Sequence, residues 1–241
     1  MAMFRSYFRS SVVLSLLLVA ALAGYARDKA TFPGPAVDAS LATTKGEQTA
    51  VVGGGCFWGV QAVFQHVKGV ISATSGYSGG QAGTAHYDRV SDGNTGHAES
   101  VKITYDPSQI TYGQLLRVFF YVAHDPTELN RQGPDEGTQY RSVVFYNSDE
   151  QKKIAEAYIA QLNAAKVYRE PIVTQVVPLK AFYAAEEHHQ NYARRHPNDP
   201  YISFNDAPKL DDLKALVPEL YTSNWAAAAA PSSAAMQAAK K

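Results

Sequence analysis

Val51–Gln61 reads "VVGGGCFWGVQ". Apolar, β-branched residues run into three glycines, then into the one cysteine of the chain and two large aromatics. Gln48–Gly54 is apolar and ends in glycine, which predicts a short strand. Val60, Val63, Phe64 and Val67 then recur at i, i+3, i+4 and i+7, the apolar stripe of an amphipathic helix. Period two gives way to period 3.6 across the glycines, so the chain enters its core as a β-α unit with Cys56 at the mouth of the helix.

Working outward, Gly69 ends that helix, and Ile71, Ala73 and Tyr77 alternate as a second strand running into "GYSGG". A glycine-rich loop leads to Gly96, and Ala98–Tyr105 is a third strand. Thr111 and Gln114 form a Thr-x-x-Gln capping box before a helix carrying Leu115, Leu116, Phe119 and Phe120. Tyr121–Tyr140 has little regular structure, and loops of that length tend to carry function. Ser142–Tyr146 is a fourth strand. Ser148 and Gln151 cap a helix with Ile154, Tyr158, Leu162 and Ala165 on one face. Ile172–Leu179 is a fifth strand, and Phe182–Arg194 a last short helix. The order β-α-β-β-α-β predicts an α+β fold, a two-layer ferredoxin-like core with a C-terminal extension.

The ends read differently. Arg5 and Arg9 precede an apolar run, Val12–Ala23, followed by small residues at Ala21-Leu22-Ala23 and Gly24-Tyr25-Ala26. That layout predicts a signal peptide over 1–26, with an uncleaved anchor as the alternative, and hence a periplasmic or secreted protein with no stable membrane association after cleavage. Residues 27–46, rich in Pro, Ala and Thr, read as a linker, 47–221 as one folded domain, and 222–241 as a low-complexity tail. The whole chain carries 22 basic and 22 acidic residues. Loss of Arg5 and Arg9 leaves the acids in slight excess, which gives no basic patch and argues against a nucleic-acid partner.

Exported proteins use cysteines in pairs, so a single thiol is either buried and inert or kept for chemistry. The neighbours of Cys56 favour chemistry. A helix N-terminus presents unpaired N–H groups and the positive end of the helix dipole, which should lower the pKa of the thiol. Phe57 and Trp58 are either core residues or an apolar collar for a small group such as a methyl. Glu99 shares a strand face with Val101, Ile103 and Tyr105, so its carboxyl begins an apolar row. A carboxyl buried there stays protonated and can donate; one at a frayed strand end is merely solvated. Tyr87 and Tyr140 lie in the two long loops, where their phenols could reach a substrate oxygen. Asp135 and Glu136 are adjacent acids in a turn. His188, His189 and His196 lack metal-ligand spacing, so no metal is expected.

Taken together, "GGGCFWGVQAVFQ", "GYSGG", "TGHAESVKITYDP", "LLRVFFYVAHDPT", "NRQGPDEGTQYRS" and "AEEHHQNY" resemble the A-type peptide-methionine sulfoxide reductases. These enzymes reverse one epimer of methionine sulfoxide. The resemblance implies thiol-dependent reduction of the S epimer, protein-bound or free, through a cysteine sulfenic acid, and so repair of oxidised proteins. It implies Cys56 as nucleophile, Glu99 as acid, Tyr87 and Tyr140 as hydrogen-bond donors to the sulfoxide oxygen, Asp135 in the same site, and Phe57 and Trp58 as the methyl pocket. No bound cofactor is implied, and a monomer is expected. Pro134 and His188 depart from the residues common in the family. The larger departure is the absence of a second cysteine, which implies an external thiol reductant: a thioredoxin-like or glutaredoxin-like protein, or glutathione. A cysteine hydrolase, a thiol peroxidase and a non-catalytic binder of oxidised proteins are the rival readings.

Overall fold

A computed structural model describes residues 32–226. The expected signal peptide and all but the start of the expected tail lie outside the described residues. Strand β1 (Gln48–Gly53) leads through Gly54–Cys56 into helix α1 (Phe57–Gln65), then strand β2 (Val70–Ser78). The glycine loop contains a short helix, α2 (Tyr87–Val90), before strand β3 (Ala98–Tyr105). Helix α3 (Tyr112–Val118) follows and continues as a π turn over Phe119–Ala123. The long loop holds a two-strand hairpin, β4 (Arg131–Gln132) and β5 (Asp135–Glu136). Then come β6 (Val143–Tyr146), α4 (Asp149–Ala164), β7 (Gln175–Pro178) and β8 (Phe182–Ala184). A short helix α5 (Tyr192–Arg195) and helix α6 (Ala207–Leu216), entered through a π turn at Ile202–Asp206, complete the order.

The result is a mixed α+β fold on one six-stranded sheet in the order β7-β6-β1-β3-β2-β8. Only the β6–β7 pairing is parallel, and α4 makes the crossover that a parallel pair requires. Along β3 the residues of both parities are buried at Ala98–Val101, so both sheet faces are covered at the end that carries Glu99. On one face α1 packs on β2 and β3. On the other, Val51, Ala98, Val143 and Phe145 form an apolar cluster closed by Val177, Leu179 and Phe182.

Local signals account for most of these elements. The capping box at Thr111 forms with both of its hydrogen bonds, and the side chain of Ser148 accepts the Gln151 N–H at the start of α4. Residues 33–46, read as a linker, contain no helix or strand, yet they are tied down. Asp38 accepts the N–H of Gly113 (2.8 Å) and the hydroxyl of Thr111, adding a second cap to α3. Tyr158 of α4 donates to the Pro33 carbonyl (2.7 Å). Two expectations are corrected. Phe182–Ala184 is an edge strand paired with Gly76–Ser78 rather than the start of a helix. The chain also continues after Arg195 into α6, which the apolar pattern did not show. Among the described residues no helix is long and apolar enough to cross a membrane.

Candidate active site

The glycine turn between β1 and α1 delivers Cys56 to the mouth of the helix. Gly55 has φ +86°, a conformation that strains any residue with a Cβ, and a Cβ there would meet the Gln132 side chain at 2.5 Å. That turn brings the chain from β1 into α1 with Cys56 at the N-cap, its side chain making no capping hydrogen bond. Cys56 is buried, 9 % exposed.

Glu99 approaches from β3. Its carboxyl is 3 % exposed and accepts the N–H of Phe57 at 3.0 Å. The first free N–H of α1 is therefore spent on Glu99 rather than on the sulfur. Burial pushes the Glu99 carboxyl up to about 8, with the Phe57 N–H opposing and Asp135 and Asp206 adding to the rise. Glu99 is thus a neutral acid at pH 7, as its place in an apolar row predicts.

The thiol contradicts its sequence expectation. Burial raises the Cys56 thiol well above its ordinary value, with Glu99 and Asp206 adding to the rise; the Trp58 N–H and Lys209 oppose it. The helix end does act on the sulfur, but desolvation is stronger. The resting site therefore holds two protons, one on sulfur and one on carboxyl.

Two phenols lie in the same electrostatic neighbourhood. Tyr87 and Tyr140 are both raised, first by burial and next by Glu99, and each also feels Cys56. Neither is an unsupported loop residue. The N–H of Tyr87 donates to Glu186 Oε1 at 2.8 Å, and the same carboxylate accepts the hydroxyl of Tyr77 at 2.9 Å. Tyr77 stands opposite Glu99 in the β2–β3 register. Burial disfavours the Glu186 charge, yet the N–H of Tyr87 and the phenol of Tyr77 help hold its carboxyl below the usual value. Tyr140 ends the single 3₁₀ turn that follows β5.

Asp135 lies on β5, not in a free turn, and accepts the hydroxyl of Tyr201. Phe57 is fully buried, its ring 5.8 Å from Tyr77 and 5.3 Å from His189. Trp58 is half-buried. Tyr192 stacks on it at 3.8 Å, Tyr201 meets it edge-on at 6.0 Å, and its indole N–H donates to His189 Nδ1 at 3.3 Å. The fold thus gathers Cys56, Glu99, Tyr87, Tyr140, Asp135, Phe57 and Trp58 into one region. Among the described residues no group of three His, Cys, Asp or Glu side chains could hold a metal ion.

Several residues of this region were not singled out as site residues in the sequence: Glu186, His189, Gln190, Tyr192, Tyr201, Asp206 and Lys209. The motif "AEEHHQNY" marked the first three and Tyr192 without showing what they touch. Gln190 now explains itself, since it accepts the Ser75 N–H and donates to the Ser75 and Ala185 carbonyls, pinning the extension to β2.

A buried thiol beside a protonated carboxyl, closed in by phenols and indole, suits redox chemistry at sulfur, and the protein is an oxidoreductase. Comparison with known proteins gives the class its name. A family model described as peptide methionine sulfoxide reductase matches residues 48–219. The chain is 59% identical over 177 residues to peptide methionine sulfoxide reductase MsrA 2 of Mesorhizobium japonicum, covering 73% of this chain and 91% of that one. It is 50% identical over 180 residues to MsrA 2 of Synechocystis, covering 74% and 84%. Among solved structures it is similar to methionine sulfoxide reductase A of Corynebacterium diphtheriae, with TM-score 0.56, 35% identity and coverage of 69% and 84%. It is also similar to reduced Mxr1 of Saccharomyces cerevisiae, with TM-score 0.57, 32% identity and coverage of 66% and 94%. The chain belongs to the peptide methionine sulfoxide reductase family, A type, and reduces the S epimer of methionine sulfoxide in proteins.

Proposed function

We propose that Cys56 is the nucleophile and Glu99 the acid, and the observation that carries this is the neutral, buried Glu99 carboxyl held by the Phe57 N–H at the nucleophile's own helix end. A sulfoxide sulfur becomes electrophilic when its oxygen accepts a proton. Glu99 donates its proton to that oxygen, and Tyr87 and Tyr140 donate hydrogen bonds to it. The carboxylate left behind takes the thiol proton as the sulfur of Cys56 bonds to the substrate sulfur. The oxygen then passes to the Cys56 sulfur as hydroxyl, and the new sulfur–sulfur bond breaks. Methionine leaves, reduced by two electrons, and Cys56 is oxidised to the sulfenic acid. Phe57 and Trp58 hold the S-methyl group, and Asp135 anchors Tyr201 against Trp58.

Recycling is the second part of the proposal. The chain has one cysteine, so no second thiol of its own can condense with the sulfenic acid. Two external thiols reduce it, giving a disulfide and water, with a mixed disulfide at Cys56 between. A thioredoxin-like or glutaredoxin-like protein, or glutathione, fits this chemistry. Free methionine sulfoxide is a substrate alongside oxidised proteins, and the enzyme acts as a monomer.

In the central order β6-β1-β3-β2 each neighbouring pair is antiparallel, with α1 and α3 as the connecting helices. That order supports reading them as a ferredoxin-like split unit extended by β7 and β8. The basic start and apolar run of 1–26 support an exported enzyme, periplasmic or secreted. Turnover of separated S and R epimers with glutathione, glutaredoxin and thioredoxin as donors tests the functional reading. The S epimer should be consumed and the R epimer left.

A further inference from the structure

Gly59 lies three residues after Cys56, on the same side of the first turn of α1. A Cβ on Gly59 would overlap Asp206 Oδ1 and approach Lys209 Nζ to 2.8 Å. The missing side chain is the space into which the start of α6 brings an ion pair, Lys209 Nζ to Asp206 Oδ1 at 3.1 Å. Asp206 is 1% exposed, and its other oxygen, Oδ2, is buried without a hydrogen-bond partner. A half-satisfied buried carboxylate is costly, and the catalytic scheme above does not use it.

We infer that Asp206 and Lys209 are a positioning pair for Cys56: Lys209 supplies the positive charge that supports the anionic sulfur, and Asp206 holds that charge against the first turn of α1. The inference rests on the proposed role of Cys56 as nucleophile. The groups that face this sulfur from neighbouring elements are Glu99 of β3, Asp206 and Lys209 at α6, and the phenols of Tyr87, Tyr140, Tyr192 and Tyr201. Glu99 and Asp206 in that set disfavour a thiolate, and Lys209 favours it. The sulfur must carry anionic charge as it attacks the sulfoxide, and again as the leaving group when a second external thiol breaks the mixed disulfide. A cation brought by α6 against the first turn of that helix helps both steps, reinforcing the helix dipole.

The cysteine count makes the test clean, since any alkylated cysteine is Cys56. The rate of alkylation by iodoacetamide against pH should be measured for the full chain, Lys209→Met, Lys209→Arg and Asp206→Asn, each also in a Glu99→Gln background that removes the carboxyl's own titration. Lys209→Met should shift the profile to higher pH and slow alkylation at pH 7 about tenfold, the effect of losing one nearby opposite charge. Lys209→Arg should restore the profile. Asp206→Asn keeps an oxygen for Lys209 while removing a negative charge, so it should move the profile the other way, to lower pH. Unmoved profiles, or shifts of the same sign in Lys209→Met and Asp206→Asn, would overturn the pair's role even where stability falls. Because alkylation needs no turnover, such a failure is distinct from failure of the catalytic reading, which sulfoxide assays of Cys56→Ser decide.

Discussion

Glu99 and Cys56 hold their protons for the same reason, removal from water. Because the two sites differ in what opposes that burial, they give different predictions. Cys56→Ser leaves a hydroxyl that neither ionises nor accepts oxygen, so S-sulfoxide reduction should fall to background with the thermal unfolding temperature kept. Glu99→Gln keeps the acceptor for the Phe57 N–H but donates a proton far less well. The rate should fall by roughly 10²–10⁴, the size of an acid's contribution. In the parent enzyme kcat/KM should decline as pH rises through about 8, where Glu99 loses its proton; the Gln variant should lack that decline. Stability carries the same signature. The folded-state value lies above the ordinary 4.5, so the benefit of the protonated carboxyl is full below 4.5 and is lost as pH rises toward about 8. Stability should therefore fall by about 1.4 kcal/mol per pH unit in that window. Thermal melts of Glu99→Gln across pH 5–8 should show that slope flattened; an unchanged slope would return Glu99 to a solvated strand end. At this scale the alternation of β3 made Glu99 legible, whereas the thiol's raised value was not. The rise comes from burial and from the charges of Glu99 and Asp206, which arrive from distant parts of the chain.

The turn from β1 into α1 is where local backbone decides the site. Gly55→Ala places a Cβ at φ +86° and at 2.5 Å from the Gln132 side chain. Gln132 in turn closes its loop, accepting the Asp125 N–H at 3.0 Å and donating to the Asp125 carbonyl at 2.9 Å. We predict a loss of roughly 1–3 kcal/mol in urea unfolding, from strain and overpacking together, and a larger fractional loss of activity than of folded protein. A variant as stable as the parent would show that the turn carries no strain. Elements with N-terminal side-chain caps and apolar stripes, such as α3 and α4, were legible because their signals are local. Helix α6 was not: of its residues only Leu213 is buried, so its exposed sequence carries no stripe. Phe182–Ala184 has the spacing of neither period over three residues, and only its pairing with Gly76–Ser78 makes it a strand. Tyr201 and Asp206 reach the site from that same unsignalled segment.

For the whole molecule the central claim is a two-electron cycle carried on one sulfur. Steady-state turnover should rise with the concentration and thiolate fraction of the external thiol, because each recycling step is intermolecular. A rate independent of thiol identity and concentration would contradict this. The proposal of an export signal over 1–26 carries a separate prediction: in the native host the mature chain should begin near Gly24 or Arg27 and be recovered outside the cytoplasm. The most direct measurement is intact-mass analysis after one equivalent of S-sulfoxide in the absence of reductant, with a sulfenic-acid trap and then glutathione in parallel. The enzyme should gain about 16 Da, one oxygen, with the trap adduct mapping to Cys56 and a glutathione mixed disulfide at the same residue. An unchanged mass while methionine accumulates, or an adduct mapping to any other residue, would contradict the one-sulfur cycle.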